Sequence, residues 1–212
     1  MKKDYKGIIF DLDGVICYTD QYHYKAWKML ADKLGIPFDE QINNRLRGVS
    51  RMESLEIILE KSEKAYTEEE KVEMAEEKNA NYRELLAQMS PKDLSSEVKE
   101  TLDLLHGTKL LAIGSSSKNT AFILERIGLA GYFDAVADGN DITRSKPDPE
   151  VFLIAARRLN LKPQECLVVE DAKAGVDAAV AGGFDCAAVG DAAGYGAATY
   201  SLKSVCDLKE LA

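Results

Sequence analysis

Short apolar runs alternate with stretches of helical periodicity along most of the chain. The apolar runs predict strands at residues 7–10, 109–114, 135–138, 166–169 and 186–189. The periodic stretches between them predict helices near residues 96–106, 121–127, 149–159 and 174–181. Strands that are apolar throughout, each followed by a helix, are typical of a parallel sheet covered on both faces. The pattern therefore predicts an α/β fold.

Residues 19–90 break this alternation, because they show only helical patterns. A helix is predicted to begin at Thr19 or Asp20, and a long one follows the acidic first turn after Thr67. The first strand is too short to be stable alone, so it must join the later strands in one sheet. We therefore predict a Rossmann-like core of residues 1–18 and 91–212, with an α-helical cap domain of residues 19–90 inserted between two hinges.

Composition narrows the class of protein. The chain has 212 residues, 46% of them hydrophobic and 30% charged, which is enough to bury a core. Its net charge of −9 argues against a nucleic-acid surface or an anionic membrane as partner. We find no signal-peptide stretch and no apolar run long enough to span a bilayer. Free thiols in a reducing cytoplasm are expected, because C-x-x-C spacing is absent among Cys17, Cys166, Cys186 and Cys206.

Two carboxylates close the first predicted strand. Asp11 and Asp13 are two residues apart on extended backbone, so their side chains should face the same side while Leu12 turns into the core. Two like charges this close need a cation or a shared proton. The pair indicates a carboxylate nucleophile and a proton-transfer partner beside a divalent metal. The alternative is a solvated acidic turn at the end of a strand.

More acids follow a later strand. Ligand sites of parallel sheets lie beyond the carboxyl ends of the strands, and Glu170 and Asp171 come directly after the strand at 166–169. Together with Asp11 they would supply hard oxygen ligands, which suit Mg²⁺. The alternative for Asp171 is a capping residue for the helix that follows.

Hydroxyl and cationic side chains follow two other predicted strands, those at residues 109–114 and 135–138. Ser115 can donate to a phosphoryl oxygen, and Lys146 would aim a point charge at the same place. The loop after Ser115 opens a helix whose free N–H groups attract anions. An ordinary serine-rich helix start is the alternative for this loop. The phosphate-binding prediction therefore includes Ser116, Ser117, Lys118 and Asn119.

These clusters occur in the order D-x-D, Ser, Lys and an acidic pair, which resembles the haloacid dehalogenase superfamily over nearly the whole chain. The resemblance implies that Asp11 is the nucleophile that becomes an aspartyl phosphate and that Asp13 is the general acid and base. It also implies one Mg²⁺, held by Asp11, Glu170, Asp171 and the main-chain carbonyl of Asp13.

A narrower resemblance, to the β-phosphoglucomutases of that superfamily, is carried by five segments. These are residues 10–16, 22–28, 48–51, 78–82 and 117–119. It implies interconversion of β-D-glucose 1-phosphate and 6-phosphate through an enzyme-bound 1,6-bisphosphate, by a cytoplasmic monomer whose partner is a small hexose phosphate. A Mg²⁺-dependent sugar-phosphate phosphatase of the same superfamily is the alternative.

The narrower resemblance also assigns roles within the predicted cap. Arg51 would grip the phosphate that is not being transferred, beside residues 117–119, while Lys78 and Asn79 would face the sugar. His23 would tune the hydrogen bonding of Asp13. The remaining predicted site residues are Trp27, Gly48 and Ser50, with Thr19 at the hinge.

Three of these residues have an alternative role that involves no ligand. His23 shares a helical stripe with Trp27, which would suit a core histidine. Arg51 could pair with an acid in the next turn. Lys78 lies among glutamates, where a surface salt bridge of small energetic value is the default.

Overall fold

A single parallel sheet organises the chain. The computed structural model describes residues 3–46 and 49–211. Its six strands follow the order β3-β2-β1-β4-β5-β6, and every neighbouring pair is parallel. The strands are β1 (Gly7–Phe10), β2 (Leu110–Gly114), β3 (Ala135–Ala137), β4 (Cys166–Glu170), β5 (Asp185–Ala188) and β6 (Tyr200–Ser201). The predicted α/β, Rossmann-like fold is confirmed.

Eight α-helices accompany the sheet in the described part of the chain. They are α1 (Asp20–Leu34), α2 (Glu40–Asn44), α3 (Arg51–Leu59), α4 (Glu68–Leu86), α5 (Ser96–Leu105), α6 (Thr120–Arg126), α7 (Glu150–Arg158) and α8 (Lys173–Ala181). Apolar side chains of the strands alternate between two clusters: Ile8 and Phe10 belong to one, and Ile9 belongs to the other. The sheet therefore carries a core on each face, as its continuous apolar strands require.

The four helices α1–α4, which we call the helical segment, lie between β1 and the rest of the sheet in sequence. They share an apolar cluster of their own, which includes Trp27, Leu30, Leu55 and Ile58. Their ends follow ordinary capping rules, since Ser50 and Thr67 both form capping boxes and Gly35 ends α1 in a left-handed conformation. We call the sheet with α5–α8 the sheet unit.

Two short elements were missed by the pattern of apolar positions. Helix α2 has only 5 residues, none of them buried, and begins where Asp39 accepts the N–H of Ile42. Strand β6 has 2 residues and pairs with β5 at the edge of the sheet. Neither element buries enough apolar surface to leave a periodic signal. None of the described helices is long and apolar enough to cross a bilayer, and all four cysteines are free thiols.

Candidate active site

A cavity of about 610 Å³ lies between the carboxyl ends of the strands and the helical segment. The sheet unit and the loop after β1 contribute ten of the predicted site residues: Asp11, Asp13, Ser115, Ser116, Ser117, Lys118, Asn119, Lys146, Glu170 and Asp171. The helical segment contributes His23, Trp27, Ser50, Arg51, Lys78 and Asn79. Thr19 is fully buried and does not line the cavity, and Gly48 lies outside the described residues.

Three carboxylates meet where β1 and β4 end. Asp11, Glu170 and Asp171 can each offer an oxygen within 4.8 Å of the others. Burial, then the charges of Asp11 and Glu170, raises the pKa of Asp171 to about 8. Burial also raises the pKa of Glu170, against the opposing effect of Lys146. Asp11 and Glu170 are buried and Asp171 is half-buried, and carboxylates crowded in this way favour a bound cation; hard oxygen donors fit Mg²⁺.

Lys146 compensates part of this negative charge. Its side chain is 3% exposed, and its Nζ lies 2.6 Å from Asp11 Oδ1 and 2.5 Å from Glu170 Oε1. Burial lowers the pKa of Lys146, but the two carboxylates outweigh that effect and hold the pKa above its usual value. One ammonium against three carboxylates leaves a deficit of positive charge, which a divalent ion would correct.

Asp13 has different surroundings from Asp11, although both follow the same strand. The Thr19 hydroxyl donates a hydrogen bond to Asp13 Oδ1. Burial, then the charge of Asp11, raises the pKa of Asp13 to about 7, and the bond from Thr19 opposes the shift. A carboxyl group with a pKa near neutrality can both accept and release a proton at physiological pH. The geometry therefore favours proton transfer at Asp13.

The alternative for Asp171, a helix cap, is not what the structure contains. The residue at the N-cap of α8 is Ala172, and no side chain caps this helix end. The Ala172 N–H instead donates to Glu170 Oε2 at 2.9 Å, which fixes the second oxygen of that carboxylate. The oxygens of Asp171 remain available to the acidic cluster.

Gly175, in the first turn of α8, makes room for Glu170. A Cβ at this position would lie 1.9 Å from Glu170 Oε1. Replacing a helical glycine by alanine ordinarily stabilises a helix by about 1 kcal/mol. In Gly175→Ala, however, we expect metal binding to be impaired, because the added methyl group displaces the Glu170 carboxylate. The affinity for Mg²⁺ should fall about 10- to 100-fold. Calorimetric titration with Mg²⁺ measures this change.

Gly194→Ala is the matched control, because nothing lies within 4 Å of the added methyl group. This variant should bind Mg²⁺ as the unchanged protein does. Equal affinities in both variants would mean that the position of Glu170 is unimportant for the metal.

The loop after β2 is folded by its own hydroxyl groups. Ser115 Oγ accepts the N–H of Ser117 at 3.1 Å, and Ser117 Oγ accepts the N–H of Asn119 at 3.2 Å. The Ser116 hydroxyl is buried and has no hydrogen-bond partner among the described residues. Gly139 lies against this loop, where a Cβ would come within 2.4 Å of the Ser116 carbonyl oxygen. Ser116 therefore lines the cavity with a hydroxyl whose hydrogen-bonding capacity is unused by the described residues.

On the opposite wall, Lys78 is enclosed by aromatic side chains. Its Nζ lies 4.7 Å from the Trp27 ring centroid, 4.4 Å from that of Tyr82 and 2.9 Å from His23 Nδ1. Burial, then the charge of Arg51, lowers the pKa of Lys78, and burial also lowers that of His23. At 3% exposure, Lys78 is not the surface ion pair of the alternative prediction.

His23 stacks on Tyr82, with 4.0 Å between ring centroids, and lines the cavity. Its hydrogen-bonding partner is Lys78, whereas that of Asp13 is Thr19. The predicted tuning of Asp13 by His23 therefore does not take the form of a direct bond. Tyr82 and Asp20 also line the cavity and were not predicted as site residues. Their signals were a helical stripe and a helix start, which are common without any ligand.

Arg51 is bound to an amide rather than to an acid. Its Nη2 donates to Asn79 Oδ1 at 2.9 Å. Ion pairs join Arg45, Arg144 and Arg158 to carboxylates in the described part of the chain, but none joins Arg51. The alternative of a local ion pair is therefore not found for Arg51 among these residues.

Comparison with known proteins agrees with this geometry. The model of the haloacid dehalogenase-like hydrolases matches residues 5–183, which include every acid of the cluster. The chain belongs to this family. One relative is the β-phosphoglucomutase of Bacillus subtilis. It is 41% identical to this chain over an alignment that covers 87% of this chain and 83% of the relative. The fructose-1-phosphate phosphatase YqaB of Escherichia coli is 34% identical over 87% of this chain and 96% of its own length.

A solved haloacid dehalogenase-like structure gives the same result. The crystal structure of β-phosphoglucomutase from Clostridium difficile superposes with a TM-score of 0.90 at 38% identity, and covers 98% of this chain and 96% of its own. Proteins of the superfamily generally depend on Mg²⁺, which agrees with the three clustered carboxylates found here.

The raised pKa of Asp171, about 8, predicts pH-dependent metal binding. A ligand carboxyl must lose its proton, so the affinity for Mg²⁺ should rise about tenfold per pH unit between about pH 6 and 8 and level off above. Without metal, a rising pH lowers the stability of the fold at Asp171, because burial disfavours the ionised carboxylate. The contribution of Asp171 to stability is fully present below its ordinary pKa and is lost as the pH rises through 8.

Calorimetric titrations at several pH values test this dependence. Asp171→Asn should flatten it, because an amide has no proton to release in this range. An affinity that is already constant between about pH 6 and 8 would contradict the expected shift.

Proposed function

We propose that the chain is a β-phosphoglucomutase, which interconverts β-D-glucose 1-phosphate and β-D-glucose 6-phosphate. The observation that supports this function is one cavity lined by two separate sets of groups that could each bind a phosphate. Lys146 pairs with Asp11 in the wall that also includes Ser115, while Arg51 and Asn119 meet at Asn79. A bisphosphate intermediate needs two such places, whereas hydrolysis of a monophosphate needs one. The similarity to the β-phosphoglucomutase of Bacillus subtilis supports the same function.

In the first half of the cycle, Asp11 carries the phosphoryl group. A hydroxyl of the sugar phosphate attacks phosphorus, the bond from phosphorus to Asp11 breaks, and Asp13 takes the hydroxyl proton. The product is β-glucose 1,6-bisphosphate. After the bisphosphate turns over in the cavity, its other phosphoryl group returns to Asp11 and Asp13 gives the proton back. The raised pKa of Asp13, about 7, suits both directions.

Charge neutralisation is the main requirement of phosphoryl transfer. Asp11, Glu170, Asp171 and the main-chain carbonyl of Asp13 would hold one Mg²⁺, which would neutralise charge on the transferred group. Lys146 keeps its ammonium beside Asp11 for the same purpose. The hydroxyls of Ser115 and Ser116 can donate to the phosphoryl oxygens.

Residues 19–90 act in this mechanism as a cap over a core of residues 1–18 and 91–212, with Thr19 at one hinge. The cavity is lined from both sides, so opening of the cap would admit the sugar phosphate and closing would exclude water. Lys78 and Asn79 face the sugar from the cap. The hexose phosphate is the only partner this mechanism requires, and we place the enzyme in the cytoplasm as a monomer.

The test supplies β- or α-glucose 1-phosphate with Mg²⁺ and a trace of glucose 1,6-bisphosphate. We expect steady formation of glucose 6-phosphate from the β anomer, with little inorganic phosphate. Stoichiometric release of phosphate would instead indicate a sugar-phosphate phosphatase, the function named for YqaB of Escherichia coli, which is 34% identical. Conversion of neither anomer would contradict the proposed function.

A further inference from the structure

One side-chain oxygen joins the helical segment to the sheet unit inside the cavity. Asn79 Oδ1, on α4, accepts a hydrogen bond from Asn119 Nδ2 at 2.8 Å and another from Arg51 Nη2 at 2.9 Å. Arg51 belongs to α3, and Asn119 ends the loop after β2. The Asn79 oxygen therefore fixes two donors that come from different parts of the molecule.

Two further contacts extend this junction along α4 and α6. The Arg83 guanidinium lies 4.9 Å from the ring centroid of Phe122. Arg126 donates to the carbonyl oxygens of Ala87 at 2.7 Å and Met89 at 3.0 Å, where the chain leaves α4. Contacts at 79, 83 and 87 recur every fourth residue, so they lie on one face of α4.

These contacts differ in their distance from the end of the helical segment. Arg126 holds the backbone at the very end of α4. Asn79 lies about two helical turns earlier, about 12 Å along the axis. A rotation of the helical segment about that end would move Asn79 the farthest. Of the contacts at residues 79, 83 and 87, the hydrogen bond from Asn119 to Asn79 would therefore break first if the helical segment rotated away from the sheet unit.

Asn79 is uncharged, and this is as important for its effect on Arg51 as its position. An amide oxygen orients the Arg51 guanidinium without cancelling its charge. The charge of Glu76 acts on Arg51, but no carboxylate forms an ion pair with Arg51 among the described residues. A carboxylate in the same place would accept the same two bonds, but it would compete with any anion for Arg51. The pair of donors that Asn79 aligns is therefore still able to bind a phosphate.

We propose that Asn79 is a positioning residue that latches the helical segment to the sheet unit and aligns Arg51 with Asn119 for the phosphate that is not being transferred. This rests on the proposed function, in which that phosphate must be held while Asp11 reacts at the other end of the sugar. The latch forms only when the helical segment and the sheet unit are in contact. Alignment of the second phosphate site is therefore coupled to the exclusion of water from the cavity.

The experiment compares Asn79→Ala and Asn79→Asp with Asn81→Ala. Asn81 is on the same helix, but it does not line the cavity. Two quantities are measured with β-glucose 1-phosphate: KM, and the fraction of turnovers that release inorganic phosphate. In Asn79→Ala we expect KM to rise about tenfold, as for loss of a hydrogen bond to a charged group, and the hydrolysed fraction to rise severalfold.

The other two variants separate the latch from simpler roles. Asn79→Asp keeps an acceptor for both bonds, so the hydrolysed fraction should stay near that of the unchanged protein while KM rises. Asn81→Ala should change neither quantity. If Asn79→Ala raises KM but leaves the hydrolysed fraction unchanged, Asn79 is only a sugar contact and the latch is overturned. Equal behaviour of Asn79→Ala and Asn81→Ala overturns it as well.

A measurement without sugar separates this inference from the proposed function. Asp11 is phosphorylated with acetyl phosphate, and the decay of the aspartyl phosphate is followed after the donor is removed. Faster decay in Asn79→Ala than in Asn81→Ala supports the latch even if the unchanged protein proves to be a phosphatase. Equal decay overturns the latch, whatever the sugar assay gives.

Discussion

Asp11→Asn is expected to abolish isomerisation, with kcat falling by at least about 10⁴-fold, as for loss of a catalytic nucleophile. An amide does not form the phosphorylated intermediate, and it also supplies a poorer ligand to the cation. The amide loses the ion pair with Lys146, whose Nζ lies 2.6 Å from Asp11 Oδ1. The rate of glucose 6-phosphate formation and the mass of the protein after treatment with acetyl phosphate measure both consequences.

Asp13→Asn and Asp32→Asn serve as comparisons for this variant. Asp13→Asn should still become phosphorylated, because its side chain is outside the acidic cluster, but it should not transfer the group to the sugar. Asp32 is exposed on α1, so its amide variant should be as active as the unchanged protein. Substantial turnover by a folded Asp11→Asn variant would contradict the proposed mechanism.

Lys146→Met is expected to lower the free energy of unfolding of the metal-free protein by about 3–5 kcal/mol. Methionine retains most of the volume but removes the only ammonium that contacts Asp11 and Glu170 in the described structure. Buried carboxylates without a compensating charge oppose folding strongly. Addition of Mg²⁺ should recover part of the loss, because the ion supplies positive charge at the same place. Denaturant unfolding in chelator and in Mg²⁺ gives the two values.

Lys28→Met is the matched control for this stability effect. Lys28 forms an exposed ion pair with Asp32 one turn away on α1, and its side chain is 39% exposed. Such pairs contribute at most about 0.5 kcal/mol. If both methionine variants lost equally little stability, the charge of Lys146 would be unimportant for folding.

The acidic cluster could be predicted from sequence because strand order does not affect it. Each parallel strand ends at the same edge of the sheet, so residues that follow different strands must meet there. Asp11, Lys146 and Glu170 are far apart in sequence and form one network in the structure. The rule needs only the strand positions, which the apolar runs give directly.

The contacts of the helical segment could not be predicted in this way. Lys78 is surrounded in sequence by glutamates, yet Glu77 pairs with Lys33 on α1 while Lys78 turns inward onto Trp27 and Tyr82. Which face of α4 meets the sheet unit depends on how the helices pack against one another. That packing is set by many small apolar contacts, and no local pattern reports it.

The central position of β1 has a consequence for the order in which the protein folds. Gly7 pairs with Leu110 on one side and with Cys166 on the other, so both partners lie more than 100 residues further along the chain. Contacts this distant form slowly, because the entropy of closing the loop is lost before the contact stabilises the chain. The helical segment has a local apolar cluster and does not depend on such closure. During synthesis, Asp11 therefore remains hydrated until β4 has been made, because Lys146 and Glu170, which form one network with it, come that late in the chain.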